Sequence, residues 1–238
     1  MSGALAGRSA VVTGASRGIG LATSRSLSGE GARVLMLARG AKELRERSAD
    51  IGAAAVALPC DVSDRAGVAV AAQHIAAELG GAPDILVNNA GLFILGRIDA
   101  LSQDDFAASL DVNLIAPFLL IRAFLPAMRE RGDGHIVTVG SIADRQIFPE
   151  NAAYAASKFG LRGMHEVMRA ELRGTGIRTT LVSPGPTDTP LWNSMETGRT
   201  GLPPRTAMLS AEATADAILY AVTRPATVNV DELRLTRA

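Results

Sequence analysis

Short β-branched runs alternate with longer helical patterns along the whole chain. Strict alternation of strands and helices predicts a parallel sheet with helices on both faces, because every crossover must return the chain to the same sheet edge. Right-handed crossovers favour a doubly wound arrangement with a ligand crevice at the carboxyl ends of the strands. We therefore predict an α/β fold with a doubly wound, seven-stranded parallel sheet.

The predicted elements follow one another without repeats or linkers. The strands are expected at residues 9–13, 32–37, 54–59, 84–88, 135–139, 177–182 and 228–235. The helices are expected near residues 18–29, 41–50, 64–80, 102–131, 151–174 and 210–223. A chain of 238 residues with this pattern is predicted to form one domain over residues 1–238.

Composition excludes several function classes. Lysine plus arginine and aspartate plus glutamate both total 24, which argues against a nucleic-acid partner. No uncharged run has the length of a membrane span, and no signal-peptide pattern is recognisable. The single cysteine, Cys60, fits a reducing compartment, so we expect a cytoplasmic protein. His74, His135 and His165 lack ligand spacing, so no metal site is expected.

A glycine-rich segment, "TGASRGIG" (13–20), joins the first strand to the first helix. Gly14 permits a tight turn, Gly18 lets the backbone approach a pyrophosphate, and Gly20 allows close helix–strand packing. Unpaired N–H groups at the helix N-terminus favour the phosphates. A plain βα turn is the alternative, but this position favours a Rossmann dinucleotide site. The predicted cofactor contacts here are Gly14, Ser16, Arg17, Gly18, Ile19 and Gly20.

The end of the second strand indicates which cofactor is used. A carboxylate there would bind the ribose 2′-hydroxyl of NAD, whereas an arginine accommodates the 2′-phosphate of NADP. The sequence has Ala38 and Arg39, with no acid before Glu43. Arg17 can reach the same space. Each arginine alone could be a solvated charge; together they favour NADP, with NAD less favoured.

Two further segments follow strands at the same edge. Asp61 and Val62 come after the third strand and could border the adenine, although Asp61 could equally be a neighbour of a helix N-cap. "NNAG" (88–91) follows the fourth strand, and its small residues would let a cofactor cross the sheet. The predicted contacts from this motif are Asn88, Ala90 and Gly91.

Three reactive side chains converge near the fifth strand. Ser141 lies at its carboxyl end, and Tyr154 and Lys158 share one helix face at i, i+4 spacing. Each alone is an ordinary residue; their combination beside a nucleotide turn predicts proton transfer. A free tyrosine has a pKa of ~10, and we expect the nearby ammonium to lower the pKa of Tyr154.

These motifs resemble the short-chain dehydrogenase/reductase family, in its single-domain branch. The matching pieces are "TGASRGIG", "NNAG", Asn113 in "DVNL", Ser141, "YAASK" (154–158) and "SPG" (183–185), in the family's order over nearly the whole chain. The resemblance implies a reductase or dehydrogenase that transfers a hydride between NADP(H) and a small-molecule carbonyl or secondary alcohol.

The resemblance also implies individual roles. Tyr154 would exchange the proton with the substrate oxygen, Ser141 would hold that oxygen, and Lys158 would also bind the nicotinamide ribose. Asn113 would belong to a proton relay. Pro117, four residues later, deprives the Asn113 carbonyl of its helical donor, so a kink is expected there.

The segment after the sixth strand is expected to complete the site. Pro184 and Gly185 would turn the chain beneath the nicotinamide, with Thr187 or Thr189 near its carboxamide. Residues 187–208 lack periodicity and predict a lid. The apolar side chains expected to form the substrate pocket are Phe93, Ile94, Phe148, Leu191, Trp192 and Met195.

Helices 102–131 and 151–174 are apolar on several sides, which predicts burial against another subunit. A two-fold dimer through both helices is expected, and the resemblance extends this to a tetramer.

Alternative functions remain open on the same fold. One is a dehydratase or epimerase that regenerates its cofactor, and another is a non-catalytic nucleotide-sensing protein. Within reductases, a 3-ketoacyl thioester is one substrate candidate, because four arginines could form a patch for an acidic carrier protein. Solvated helix ends, where arginine complements the helix dipole, are the favoured explanation of these arginines. The four arginines are Arg129, Arg131, Arg169 and Arg173.

Overall fold

A computed structural model describes residues 3–193 and 203–238. It contains one seven-stranded parallel sheet in the order β3-β2-β1-β4-β5-β6-β7. The strands are β1 Ser9–Thr13, β2 Arg33–Ala38, β3 Ala55–Pro59, β4 Ile85–Asn88, β5 Gly134–Val139, β6 Ile177–Pro184 and β7 Glu232–Leu235. The order reverses between β1 and β4, which confirms the doubly wound prediction.

Helices cover both faces of the sheet. They are α1 Gly18–Gly29, α2 Ala41–Ile51, α3 Arg65–Leu79, α4 Gln103–Leu110, α5 Ala116–Arg131, α6 Ala152–Glu171 and α7 Ala211–Val222. Alternate strand residues face opposite layers: Val11 belongs to the core under α3, α5 and α6, and Val12 belongs to the core under α1 and α7. The apolar alternation along each strand therefore builds two cores.

Two predicted elements differ from the observed ones. The last strand is shorter than the predicted 228–235, because the Asn229 side chain, and not its main chain, pairs with the main chain of Thr179 on β6. Its Oδ1 accepts from Thr179 N at 2.9 Å, and its Nδ2 donates to Thr179 O at 3.1 Å. The predicted helix 102–131 is divided by a π-helical turn, Asp111–Ile115, between α4 and α5.

The stretch Gln103–Arg131 is long and apolar enough to cross a membrane, judged by length and composition alone. The core helix of a globular fold has the same composition. Here Leu120, Phe124 and Met128 lie in the core shared with the sheet, α3 and α6. The apolar character of this stretch is therefore explained in part by packing inside the domain.

Candidate active site

A cavity of 1120 Å³ opens at the carboxyl ends of the strands. Its walls come from the loops that follow β1, β2, β3, β4, β5 and β6, as a doubly wound sheet requires at its switch point. The predicted residues that line it are Gly14, Ser16, Arg17, Gly18, Ile19, Arg39, Asp61, Val62, Ala90, Gly91, Phe93, Ser141, Phe148, Tyr154, Lys158, Pro184, Gly185, Thr187, Thr189, Leu191 and Trp192.

Three predicted cofactor-binding or catalytic residues do not line the cavity. Gly20 lies beneath the glycine turn, where an added Cβ would come 2.3 Å from Gly14 O; it serves close packing, as predicted. Asn88 is buried inside β4, and the next residue, Asn89, lines the cavity instead. Asn113 is fully buried behind the cavity wall.

The glycine turn has the backbone geometry that a phosphate site needs. Gly14 and Gly18 have φ values of +65° and +54°, in the left-handed region where a side chain would be strained. Helix α1 begins at Gly18 with no acidic residue in its first turn, and the N-cap Arg17 makes no side-chain capping bond. Its free N–H groups therefore face the cavity ready for an anion.

Three other helices are capped by a side chain at this end, whereas α2, α5 and α6, like α1, are not. Asp64 caps α3, Ser102 caps α4 and Ser210 caps α7, each by accepting a backbone N–H. A side-chain cap satisfies one of the unpaired donors of a helix. The helix that faces the cavity beneath the glycine turn keeps those donors for a ligand.

Arg17 and Arg39 line the cavity beside the glycine turn, and both are exposed. Neither guanidinium has an ion pair or hydrogen bond among residues 3–193 and 203–238. Glu43 lines the same region but pairs with neither. Two unpaired guanidinium groups at one cavity wall fit a phosphate group.

Thr13 joins the loops on either side of the switch point. Its Oγ1 accepts from Asn89 N at 3.0 Å and from Ala90 N at 2.9 Å. Asn89 Nδ2 in turn donates to Thr13 O at 2.8 Å. These bonds hold the loop after β4 against the glycine turn and shape the floor of the cavity.

At the other end of the cavity lie Ser141, Tyr154 and Lys158. Ser141 follows β5 and caps a 3₁₀ turn, Ile142–Asp144, by accepting from Ala143 N at 3.1 Å. Lys158 Nζ donates to Val139 O at 2.9 Å and lies 5.6 Å from the centre of the Tyr154 ring. The predicted cluster is therefore assembled at one cavity wall.

The protonation of this cluster differs from the expectation. Burial raises the pKa of Tyr154 to about 12; a hydrogen bond with Ser141 opposes this, and the carboxylate of Asp144 adds to it. Burial also lowers the pKa of Lys158 to about 8. The predicted lowering of the Tyr154 pKa by the ammonium is wrong for the free protein, because burial outweighs the other effects and the ammonium is bonded to Val139 O.

Asn113 acts through its side chain. Its Oδ1 accepts from Leu92 N at 2.7 Å, and its Nδ2 donates to Leu92 O at 2.8 Å and Ser157 Oγ at 2.9 Å. Ser157 Oγ donates to Tyr154 O at 2.7 Å. Asn113 thus links the loop after β4 to the helix turn that carries Tyr154. The expected interruption at Pro117 takes the form of the π turn.

An aromatic wall borders the tyrosine. The Phe93 ring lies edge-to-face against Tyr154 at 4.7 Å and against Trp192 at 5.4 Å, between ring centres. Trp192 Nε1 donates to Thr187 O at 2.9 Å. Leu95 lines the cavity and the predicted Ile94 does not. Met195 and the central part of the predicted lid 187–208 lie outside the described residues.

Several site residues were not found from the sequence. Asn89 is the second asparagine of "NNAG", and only the strand register shows which of the two faces the cavity. Ser157 lies within "YAASK", but only Tyr154 and Lys158 of this motif were assigned roles from the sequence. Asp144 is fully buried next to the cluster. The only sequence feature that could have indicated it is its position three residues after Ser141. A buried acid cannot be recognised from spacing alone.

Comparison with known proteins places these features in a family. Residues 8–200 match the family described as short chain dehydrogenase. The chain is 39% identical over 183 residues to the D-threitol dehydrogenase of Mycolicibacterium smegmatis, covering 76% of this chain and 70% of the relative.

Two solved structures share the fold. A metagenomic short-chain oxidoreductase in complex with NADP is 35% identical, with a TM-score of 0.85 over 99% of both chains. The 3-ketoacyl-(acyl-carrier-protein) reductase of Brucella melitensis, complexed with NADH, is 26% identical, with a TM-score of 0.88 over 98% of both. The chain therefore belongs to the short-chain dehydrogenase/reductase family and is an NAD(P)-dependent oxidoreductase.

Proposed function

We propose that this protein is an NADP-dependent reductase and dehydrogenase that interconverts a carbonyl compound and a secondary alcohol, with Tyr154 as the acid and base. One observation carries the proposal: a single cavity joins the glycine turn, with two arginines that have no partner in the described part of the chain, to the Ser141–Tyr154–Lys158 cluster. The nicotinamide cofactor supplies or accepts the hydride when bound.

The residues present fit that cofactor. Arg17 and Arg39 would hold the 2′-phosphate, and the free N-terminus of α1 would hold the pyrophosphate. Asp61 and Val62 line the part of the cavity that would take the adenine. Lys158 would bind the nicotinamide ribose.

Tyr154 suits proton donation in the reductive direction. Because its pKa is raised to about 12, the phenol carries its proton throughout the neutral range. It can therefore donate that proton to a substrate oxygen held by Ser141. Alcohol oxidation needs the deprotonated phenol, so its rate is expected to rise with pH.

The substrate half of the cavity favours an apolar body next to the carbonyl. Phe93, Phe148, Leu191 and Trp192 line it. NADPH consumption against a panel of ketones, with product quantified, tests the proposal. Consumption equal to the alcohol formed supports a reductase; product formed without net NADPH consumption would support the dehydratase or epimerase alternative.

Replacing Arg39 by aspartate should reverse or erode the preference for NADPH. The substitution removes a guanidinium partner of the 2′-phosphate and adds a repelling charge, and a hydrogen bond to a charged group contributes ~1.5–3 kcal/mol. We expect the ratio of kcat/KM for NADPH over NADH to fall by about 10- to 100-fold. Steady-state kinetics with both cofactors measures it.

Arg45→Asp is the matched control for this charge change. Arg45 is exposed on the same helix as Glu43 but does not line the cavity. Its substitution should leave the cofactor ratio unchanged. Equal or better efficiency with NADH in the unmodified protein would contradict the assignment of NADP.

We also propose that the protein is a homo-oligomer, with a dimer built on α4, α5 and α6. Large apolar side chains project from these helices into solvent: Phe118 is 46% exposed and Phe159 is 43% exposed. A two-fold contact that pairs each helix with its copy would cover them. The tetramer rests on the family resemblance.

The double substitution Phe118→Asp and Phe159→Asp should lower the solution mass to that of one chain. Burial of two carboxylates in an apolar interface is strongly unfavourable. Sedimentation equilibrium at micromolar concentration measures the mass. Val70→Asp, an exposed position on α3, controls for added surface charge. A monomeric and fully active unmodified protein would contradict the dimer.

A further inference from the structure

Asp144 is a buried carboxylate directly behind the catalytic cluster. It ends the 3₁₀ turn that Ser141 caps, and its side chain is fully buried. Its Oδ2 accepts from Ser183 Oγ at 2.6 Å, and its Oδ1 accepts from Arg145 Nε at 2.9 Å. Ser183 belongs to β6, just before Pro184 and Gly185 of the cavity wall.

The main chain at the end of β5 brings this carboxylate to the lysine. An added Cβ on Gly140 would lie 2.8 Å from Asp144 Oδ2 and 2.9 Å from Ser183 Oγ. Lys158 Nζ is bonded to the carbonyl of the preceding residue, Val139. Asp144 and Lys158 therefore flank the same dipeptide, and the absence of a side chain at Gly140 allows the approach.

A buried ammonium needs a compensating negative charge. Lys158 is 3% exposed. Its surroundings are the Tyr154 phenol on its own helix, the Val139 carbonyl on β5 and the Asp144 carboxylate on the 3₁₀ turn. Burial lowers the pKa of Lys158, and Asp144 raises it.

Two further charged groups lie behind Asp144. Arg145 pairs with Asp144 and, through its other end, with Glu232 on β7 at 2.6 Å. Glu150, on the loop before α6, lines the cavity on the substrate side. The charges from Lys158 outward thus alternate in sign through Asp144 and Arg145 to Glu232.

We propose that Asp144 is a positioning residue whose buried carboxylate is the counter-ion of Lys158 and keeps the lysine charged and directed at the end of β5. The proposal rests on the proposed role of Lys158.

The titration of the Lys158 ammonium can be measured directly, because the chain has only two lysines, Lys42 and Lys158. Protein labelled with ¹³C at lysine Cε gives two signals, and Lys42, exposed on α2, is the internal reference. Titration of the free protein follows the charge of Lys158 without any turnover. Asp144→Asn, which keeps the shape and the hydrogen-bonding oxygen, should move the Lys158 midpoint about one pH unit or more lower.

Arg145→Gln is the matched variant with the opposite expectation. It breaks the outer pair and leaves the Asp144 carboxylate in place, so the Lys158 midpoint should stay or rise. The pH profile of kcat/KM should change in the same way. Its fall at high pH should move to a lower pH in Asp144→Asn and should not do so in Arg145→Gln. Thermal unfolding shows whether each variant is folded.

Two results would overturn the proposal. One is an unchanged Lys158 midpoint in folded Asp144→Asn. The other is an equal fall in both variants, which would indicate a purely structural network. The titration is independent of the proposed reaction, which the Tyr154 substitution tests, so the two failures can be told apart. If Asp144→Asn does not fold, an unchanged or raised midpoint in Arg145→Gln still supports the proposal and a lowered one contradicts it.

Discussion

Tyr154→Phe should lower kcat for ketone reduction by about 10²- to 10⁴-fold, the contribution typical of general acid catalysis. The substitution removes only the hydroxyl. The ring keeps its edge-to-face contact with Phe93 at 4.7 Å between centres, and Ser141 and Lys158 keep their main-chain partners. The loss should therefore come from the missing proton, with cofactor affinity nearly intact.

Single-turnover and steady-state assays with NADPH measure the loss, and fluorescence measures the affinity. Trp192 is the only tryptophan and lines the cavity, so its emission reports cofactor binding. Tyr220→Phe is the matched control, because Tyr220 is the only other tyrosine and is half exposed on α7. Turnover near the unmodified value in Tyr154→Phe would refute the proton-transfer role.

The doubly wound parallel sheet and most of the cavity could be predicted from the sequence because both depend on local pattern. Apolar runs of strand length set the sheet, and parallel strands bring the residues that follow them to one edge. Ser141 directly follows β5, and Tyr154 and Lys158 lie on the next helix, α6. Their convergence could therefore be predicted from neighbouring parts of the sequence.

Details that depend on packing could not be predicted. The π turn at Asp111–Ile115 depends on how the Asn113 side chain docks onto Leu92 and Ser157. The shortened β7 depends on the Asn229 side chain replacing main-chain pairing with Thr179. Side-chain orientation of this kind leaves no periodic signal in a sequence.

The electrostatics of the site were predicted least well. A Tyr–Lys pair at i, i+4 suggests a lowered tyrosine pKa, yet burial raises the pKa of Tyr154. The sign depends on the depth of the phenol and on where the Lys158 ammonium points, and both are tertiary properties. Asp144, which acts on both groups, comes from a turn that spacing alone would assign to the surface.

Acidification from pH 8 to pH 5 should remove about 4 kcal/mol of unfolding free energy through two buried histidines. His135 Nε2 lies 2.8 Å from Thr180 Oγ1, and His165 Nδ1 lies 3.0 Å from Thr138 Oγ1. Burial lowers the pKa of His135 to about 3 and the pKa of His165 to about 4. Both rings are therefore neutral in the folded protein at pH 5.

The direction follows from which state binds the protons. In the unfolded chain both histidines have a pKa of about 6.5, so below that pH the unfolded state takes up protons that the folded state does not. Stability is complete above about pH 6.5 and falls as the pH decreases toward the folded pKa values. Each histidine contributes about 2 kcal/mol of the loss at pH 5. Typical domains have only ~5–15 kcal/mol in total.

Urea unfolding at pH 8 and pH 5, at one protein concentration, measures the effect. His135→Gln together with His165→Gln removes both titrating groups, so the difference between the two pH values should shrink by about 4 kcal/mol, whatever the absolute stability of the variant. His74→Gln, at an exposed position on α3, controls for the loss of an imidazole as such. A difference that persists unchanged in the double variant would assign the acid sensitivity to carboxylates, and the buried histidines would then have no part in it.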